Sequence, residues 1–142
     1  ILTLMPVLKT MSANVAVKLS PLFDVKELFR IFGDNTLVDV VSLAGECKEV
    51  VAHLGKGIEM PEVTATIAGY GSIKYPAEDT YMAPAVQNPG VFGYMVVPDV
   101  AMEKAGIAKK WFGRNGFHID NDHSFAFTEN VPGNVPGKIY KI

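Results

Sequence analysis

Apolar and polar residues alternate over 14–19, with Val15, Val17 and Leu19 on one side of an extended chain and Asn14, Ala16 and Lys18 on the other. Period two predicts a half-buried strand. The period changes in "SPLFDVKELFRIFG", where Val25, Leu28, Phe29 and Phe32 fall at i, i+3, i+4 and i+7, which predicts a helix. Asp24 followed by Glu27 forms a capping box at its start, and Gly33 supplies the stop. "TLVDVVSL" is a β-branched run and predicts a strand. "ECKEVVAHLG" carries a second stripe of helical spacing, Cys47, Val50, Val51 and Leu54, closed by Gly55. "EVTATIAGYGSIKY" alternates again and predicts one strand that weakens at its glycines.

From 76 to 90, "PAEDTYMAPAVQNPG" holds three prolines and no periodicity, the mark of a long loop engaged in function or contact. "VFGYMVV" predicts a further strand. Asp99 is placed to cap a short helix ending at Gly106, with Ile107 folding back on Met102. In the last third, Asn115–Gly116 is a hairpin signal that would join a strand "AKKWFGR" to "FHI"; "SFAFTE" returns, and "KIYKI" ends the chain. The expected fold is α+β: one domain over 1–142, a largely antiparallel sheet, two or three short helices and a C-terminal β-meander. Residues 129–142 read as an extended C-terminal arm.

Composition narrows the functions. Thirteen basic and fifteen acidic residues are mixed along the chain, giving a net charge of −2, so nothing offers the basic face that displaces counterions from nucleic acid. Trp111 and Phe112 beside Lys109 and Lys110 are one aromatic–basic dipeptide and fit core packing with solvated lysines. No apolar run reaches the ~20 residues of a membrane span. "ILTLMPVL" lacks a basic leader and is a poor signal peptide; a chain starting at Ile1 reads as processed, trimmed or part of something longer. The single cysteine, Cys47, excludes an internal disulfide and points to a reducing (cytoplasmic) or virion-associated setting. On its apolar stripe it reads as an inert buried thiol.

The most chemical stretch is "GFHIDNDHSFAF", 116–127. Here His118, Asp120 and His123 are the candidate metal ligands, and with Glu129 the candidate acid–base groups. Counting from Asp120 as a first calcium ligand puts Phe125 at the glycine position and Val131 at the glutamate position, so an EF-hand loop fails twice. Zinc would need ligands that the neighbouring sequence lacks. A plain hairpin accounts for the run, because Asp-Asn-Asp is ordinary turn chemistry; Ile119 would then oppose Phe125 and Phe117 oppose Phe127, or Phe117 would oppose Phe125. "GYGS" at 69–72 has neither the third glycine of a dinucleotide fingerprint nor a P-loop lysine.

A high apolar fraction (49%), a low charged fraction (20%) and no cofactor motif favour a structural or assembly protein whose partners are proteins, chiefly copies of itself. Such a chain would form a homo-oligomer or part of a virion- or shell-like complex, its arm adding a strand to a neighbour. The alternative is a small α+β enzyme or ligand-binding domain using His118, Asp120 and His123, with its pocket between sheet and helices.

Overall fold

The computed structural model describes residues 3–79, 81, 83–120 and 122–142. The fold is mixed α+β, with one mostly antiparallel five-stranded sheet and a second, antiparallel four-stranded sheet nearer the C-terminus. It opens with α1 (Met5–Met11), where Pro6 lies in the first turn and so leaves no intrahelical donor missing. β1 (Asn14–Leu19) follows, then α2 (Val25–Phe32). As the sequence predicts, Asp24 caps α2, its carboxylate accepting from the Lys26 N–H at 2.9 Å. The other half of the capping box does not form, because Glu27 turns to Arg30 instead.

β2 (Thr36–Leu43) and β3 (Glu46–Gly55) form a hairpin. The sequence predicts a helix for the second of these, and the register explains the error. Val41 pairs with Glu49 and Ser42 with Cys47, so Lys48 is an extra residue in β3. This bulge brings odd-numbered Cys47 onto the core side with Val50, Ala52 and Leu54, and the parity change imitates a helical stripe. Ala44 and Gly45 make the turn with φ of 52° and 80°, the doubly left-handed turn that suits strand twist.

β4 (Glu62–Ile67) lies parallel to β2 on its other side, and β5 (Gly71–Pro76) pairs antiparallel with β4. What reads as one weakening strand is therefore a hairpin turning at Gly69, φ 85°. The order of the larger sheet is β1-β3-β2-β4-β5. One face carries Val38, Val40, Val50, Ala52, Val63 and Ala65 beneath α2 and α3 (Val100–Lys104). The other is polar.

The smaller sheet consists of β6 (Tyr94–Pro98), β7 (His118–Ile119), β8 (Ala126–Thr128) and β9 (Gly137–Lys141), in the order β7-β8-β6-β9. β6 thus lies between two strands that a simple meander would make neighbours. The segment 108–114, expected as a strand, is α4 (Ala108–Arg114). Ala108 and Phe112 are buried on one side of it, a helical i, i+4 pair. Asn115–Gly116 is a helix stop and not a hairpin: Phe117 N–H bonds to Phe112 O at 3.0 Å and Gly116 N–H to Gly113 O at 3.3 Å. α3 ends in the same motif, with Ile107 N–H on Met102 O and Gly106 N–H on Glu103 O, both 3.0 Å.

The arm expected at 129–142 ends in β9, which pairs with β6 from Tyr94↔Lys141 to Pro98↔Gly137. The proline-rich stretch is tied down as well: Ala85 bridges Ile119, and Val86 N–H donates to Ile119 O at 2.8 Å. Thr80 and Met82 of that stretch lie outside the described residues. The buried apolar residues form two clusters, one under the larger sheet and one of Val96, Phe112, Ile119 and Ala126, while Met11, Leu22 and Val131 are among the large apolar side chains left exposed. No helix among the described residues is long and apolar enough to cross a membrane.

Candidate functional site

The Asp-rich hairpin forms one residue out of the expected register. His118 pairs with Phe127 and Ile119 with Ala126. Ile119 and Ala126 are thereby buried together, whereas His118 is exposed, its ring centroid 4.8 Å from that of Phe92. At the tip, Asp120 accepts from Asp122 N–H at 2.9 Å and contacts His123 Nδ1 at 3.0 Å. The backbone N–H of Asp122, and after it His123, hold the Asp120 carboxyl below the ordinary aspartate range. The ring of His123 stacks on Phe125 at 5.3 Å. Asp120 and His123 are therefore brought together, while His118 stands on Phe92 and Glu129 lies exposed beyond β8. Among the described residues no three His, Cys, Asp or Glu side chains are placed to hold a metal ion; Asn121 lies outside them. Cys47, on a strand and half-buried, has its thiol pushed up first by burial.

A more enclosed arrangement lies where the two sheets meet. A cleft of about 800 Å³ opens between the β2–β3 and β4–β5 turns on one side and β6, α3 and β9 on the other. Asp99, Glu103, Lys138, Tyr70 and Tyr140 line it. Asp99 stands at the end of β6 and caps α3 by accepting from Ala101 N–H at 2.9 Å. The same oxygen accepts from the hydroxyl of Ser42, fully buried on β2, at 2.6 Å. Its own N–H donates to Pro136 O at 2.8 Å. One aspartate thus joins the larger sheet, the helix and the turn before β9.

Glu103 lies one helical turn on and faces the same cleft. Burial around its carboxyl pushes the pKa up, partly offset by a hydrogen bond from Ser124 and by Lys109. A carboxylate with a raised pKa in a cleft is suited to taking or giving a proton.

The sequence reading treats Asp99 only as a cap and omits Glu103, Tyr70, Lys138 and Tyr140. One signal was available. Ser42 sits at a core position of β2, and a hydroxyl there needs a partner. That partner is 57 residues away, beyond any local pattern.

No protein-family model matches the chain, and no curated protein sequence does either. Among solved structures it is similar to the crystal structure of a "putative methyltransferase from Porphyromonas gingivalis W83", at 20% identity and a TM-score of 0.82. The match covers 98% of this chain and 37% of that one, so the chain spans little more than a third of the protein it resembles. The fold is thus one found within a chain described as a methyltransferase, and this overturns the expectation of a structural protein of a shell- or virion-like assembly. Of the features behind that expectation, the end of the supposed arm pairs with β6 of its own chain.

Proposed function

We propose that the chain is the substrate-holding portion of a larger group-transfer enzyme of the methyltransferase kind, and that the cleft between its sheets receives the acceptor. The cleft, with Asp99 fixed by Ser42 and a proton-accepting Glu103 one turn away, is the observation that carries this reading. Its volume falls in the range of small-molecule sites. Two carboxylates and two phenols against one ammonium favour an acceptor that presents N–H groups. The chemistry of the methyl donor is assigned to the remainder of such an enzyme. Among the described residues parallel pairing is limited to β2 with β4 and the isolated Ala85–Ile119 bridge, so they offer no doubly wound parallel sheet with a glycine-rich turn for a nucleotide-like cofactor. That remainder is the protein partner we infer. The mixed charge gives no support to nucleic acid held on a basic face.

NMR titration with small amines and amides tests the cleft. Shifts are expected to collect on 67–70, 97–103 and 136–140 and to be lost in Glu103→Gln; shifts scattered elsewhere refute it. Supplied with S-adenosylmethionine, the isolated chain should transfer no methyl group, and turnover by the chain alone would refute the division of labour.

A second reading rests on the 3.0 Å contact between Asp120 and His123, in which the aspartate orients an imidazole for proton transfer. His123→Ala separates the two, since only the second reading expects it to abolish turnover of the complete enzyme.

A further inference from the structure

At the opposite end of the larger sheet from the cleft, the C-terminal turn of α1, the end of α2 and the end of β3 enclose a separate cavity of about 380 Å³. Val15, Phe32 and Leu54 give it an apolar wall, and Phe32 and Leu54 belong to the main core. Lys9, in the last turn of α1, and Lys56, just after β3, supply two ammonium groups. None of the residues lining the cavity is acidic. Among the described residues neither lysine takes part in an ion pair, although Lys18, Lys48 and Lys74 on the same sheet each have a glutamate partner. Asn35 is held at the rim by donating to Ile58 O at 2.7 Å, which fixes the approach of the turn carrying Lys56. Thr36, directly opposite Leu54 in the sheet, is fully buried with a hydroxyl that has no hydrogen-bond partner among the described residues.

We infer that this cavity binds a small organic anion, with an apolar body against Phe32, Val15 and Leu54 and a phosphate or carboxylate between Lys9 and Lys56. Two lysines without a carboxylate partner at the rim of an apolar wall match a ligand of that composition. A neutral apolar molecule would leave the ammoniums unmatched, and a bare anion would leave the wall uncovered. The inference is independent of the cleft.

The probes are phenyl phosphate, hexanoate, inorganic phosphate and benzyl alcohol, titrated into ¹⁵N-labelled protein. Phenyl phosphate or hexanoate is expected to shift Val15, Asn35, Leu54, Gly55 and Lys56. Inorganic phosphate and benzyl alcohol should each bind more weakly. The double variant Lys9→Gln/Lys56→Gln, which alters only rim side chains, should weaken the organic anion about tenfold, the size expected of two partly exposed charge contacts. A Leu54→Met variant keeps the charges and should change the preference between aromatic and aliphatic bodies. No shift at these residues overturns the proposal. So does binding that the double lysine variant leaves unchanged, and so does inorganic phosphate binding as tightly as the organic anions.

Discussion

β2 runs for eight residues with every second side chain buried from Thr36 to Ser42, whereas β7 is two residues long with Ile119 its only buried side chain. The contrast extends to the two halves they belong to. Under the larger sheet the core is a broad layer of small and medium side chains contributed by several strands and helices. The smaller sheet rests on Val96, Phe112, Ile119 and Ala126, with Trp111 and Phe117 edge-on to Phe112 at 4.9 and 5.2 Å. A layer spreads stability over many contacts, while a cluster built around one ring concentrates it. The smaller half supplements its core with polar ties that reach far along the chain: Ser42 to Asp99, Arg114 to Asp79 at 2.9 Å, and Val86 to Ile119.

Phe112→Ala breaks this comparison most sharply. Loss of about 3–5 kcal/mol is expected by chemical denaturation, with hydrogen-exchange protection lost first over 94–98 and 118–128 while 36–67 stays protected. Leu28→Ala, fully buried under the larger sheet, has a comparable cost of about 2–5 kcal/mol, but the loss should be spread over the molecule. Equal local losses in the two variants would remove the distinction.

Next in size is Asp99→Ala, which deletes a cap and orphans a buried hydroxyl, together costing about 2–4 kcal/mol. Asp99→Asn keeps an acceptor oxygen and should recover most of that in the same melt. Gly113→Ala tests how closely the proline-rich stretch packs on α4. A Cβ at Gly113 would stand 2.6 Å from Ala83 Cβ and 3.0 Å from the Tyr81 ring. Crowding should outweigh the gain in helix propensity, for a net cost of about 1–2 kcal/mol and faster exchange at Val86. The smallest change in stability sharpens the other side: Ala44→Gly relieves a left-handed alanine in the β2–β3 turn and should raise stability by about 0.5–1 kcal/mol.

Acid provides a titratable test of the same proline-rich stretch. Asp79 is held below the ordinary aspartate range first by the Tyr81 N–H and then, more weakly, by Arg114 and Lys110. A depressed carboxyl stabilises the fold above its unfolded pKa of about 3.9 and loses that contribution as pH falls through the lower folded value. Carboxyl NMR should therefore show the bond from the Tyr81 N–H to Asp79 loosening only below that point. Arg114→Ala should leave most of the depression in place, because the backbone donor is the larger cause. Full reversion in that variant would reassign it to the guanidinium, which lies over the Tyr75 and Tyr81 rings at 5.1 and 4.8 Å.

The same division governs what can be read from sequence. Strands β1 and β2 and helices α2 and α3 follow from periodicity and caps, because each satisfies its pattern locally. β3 was misread because one inserted residue, Lys48, changed the parity of its apolar positions. α4 was misread because Asn115–Gly116 serves equally as hairpin turn and helix stop, and only the bonds to Phe112 and Gly113 decide. At the candidate site, the Asp120–His123 contact was within reach of a local reading, since three residues separate them. The cleft was not, because its lining comes from turns of both sheets and its anchoring bond joins residues far apart in sequence.

Between α3 and α4 only three residues intervene, Ala105, Gly106 and Ile107, the last fully buried. α3 lies on β2, β3 and β4, and α4 on β7 and β8, with Trp111 touching both cores. So short a knuckle, locked by its backbone bonds, has no slack to absorb movement. A displacement of the first helix would thus be carried to the second, and the far hairpin would register events in a cleft it does not line.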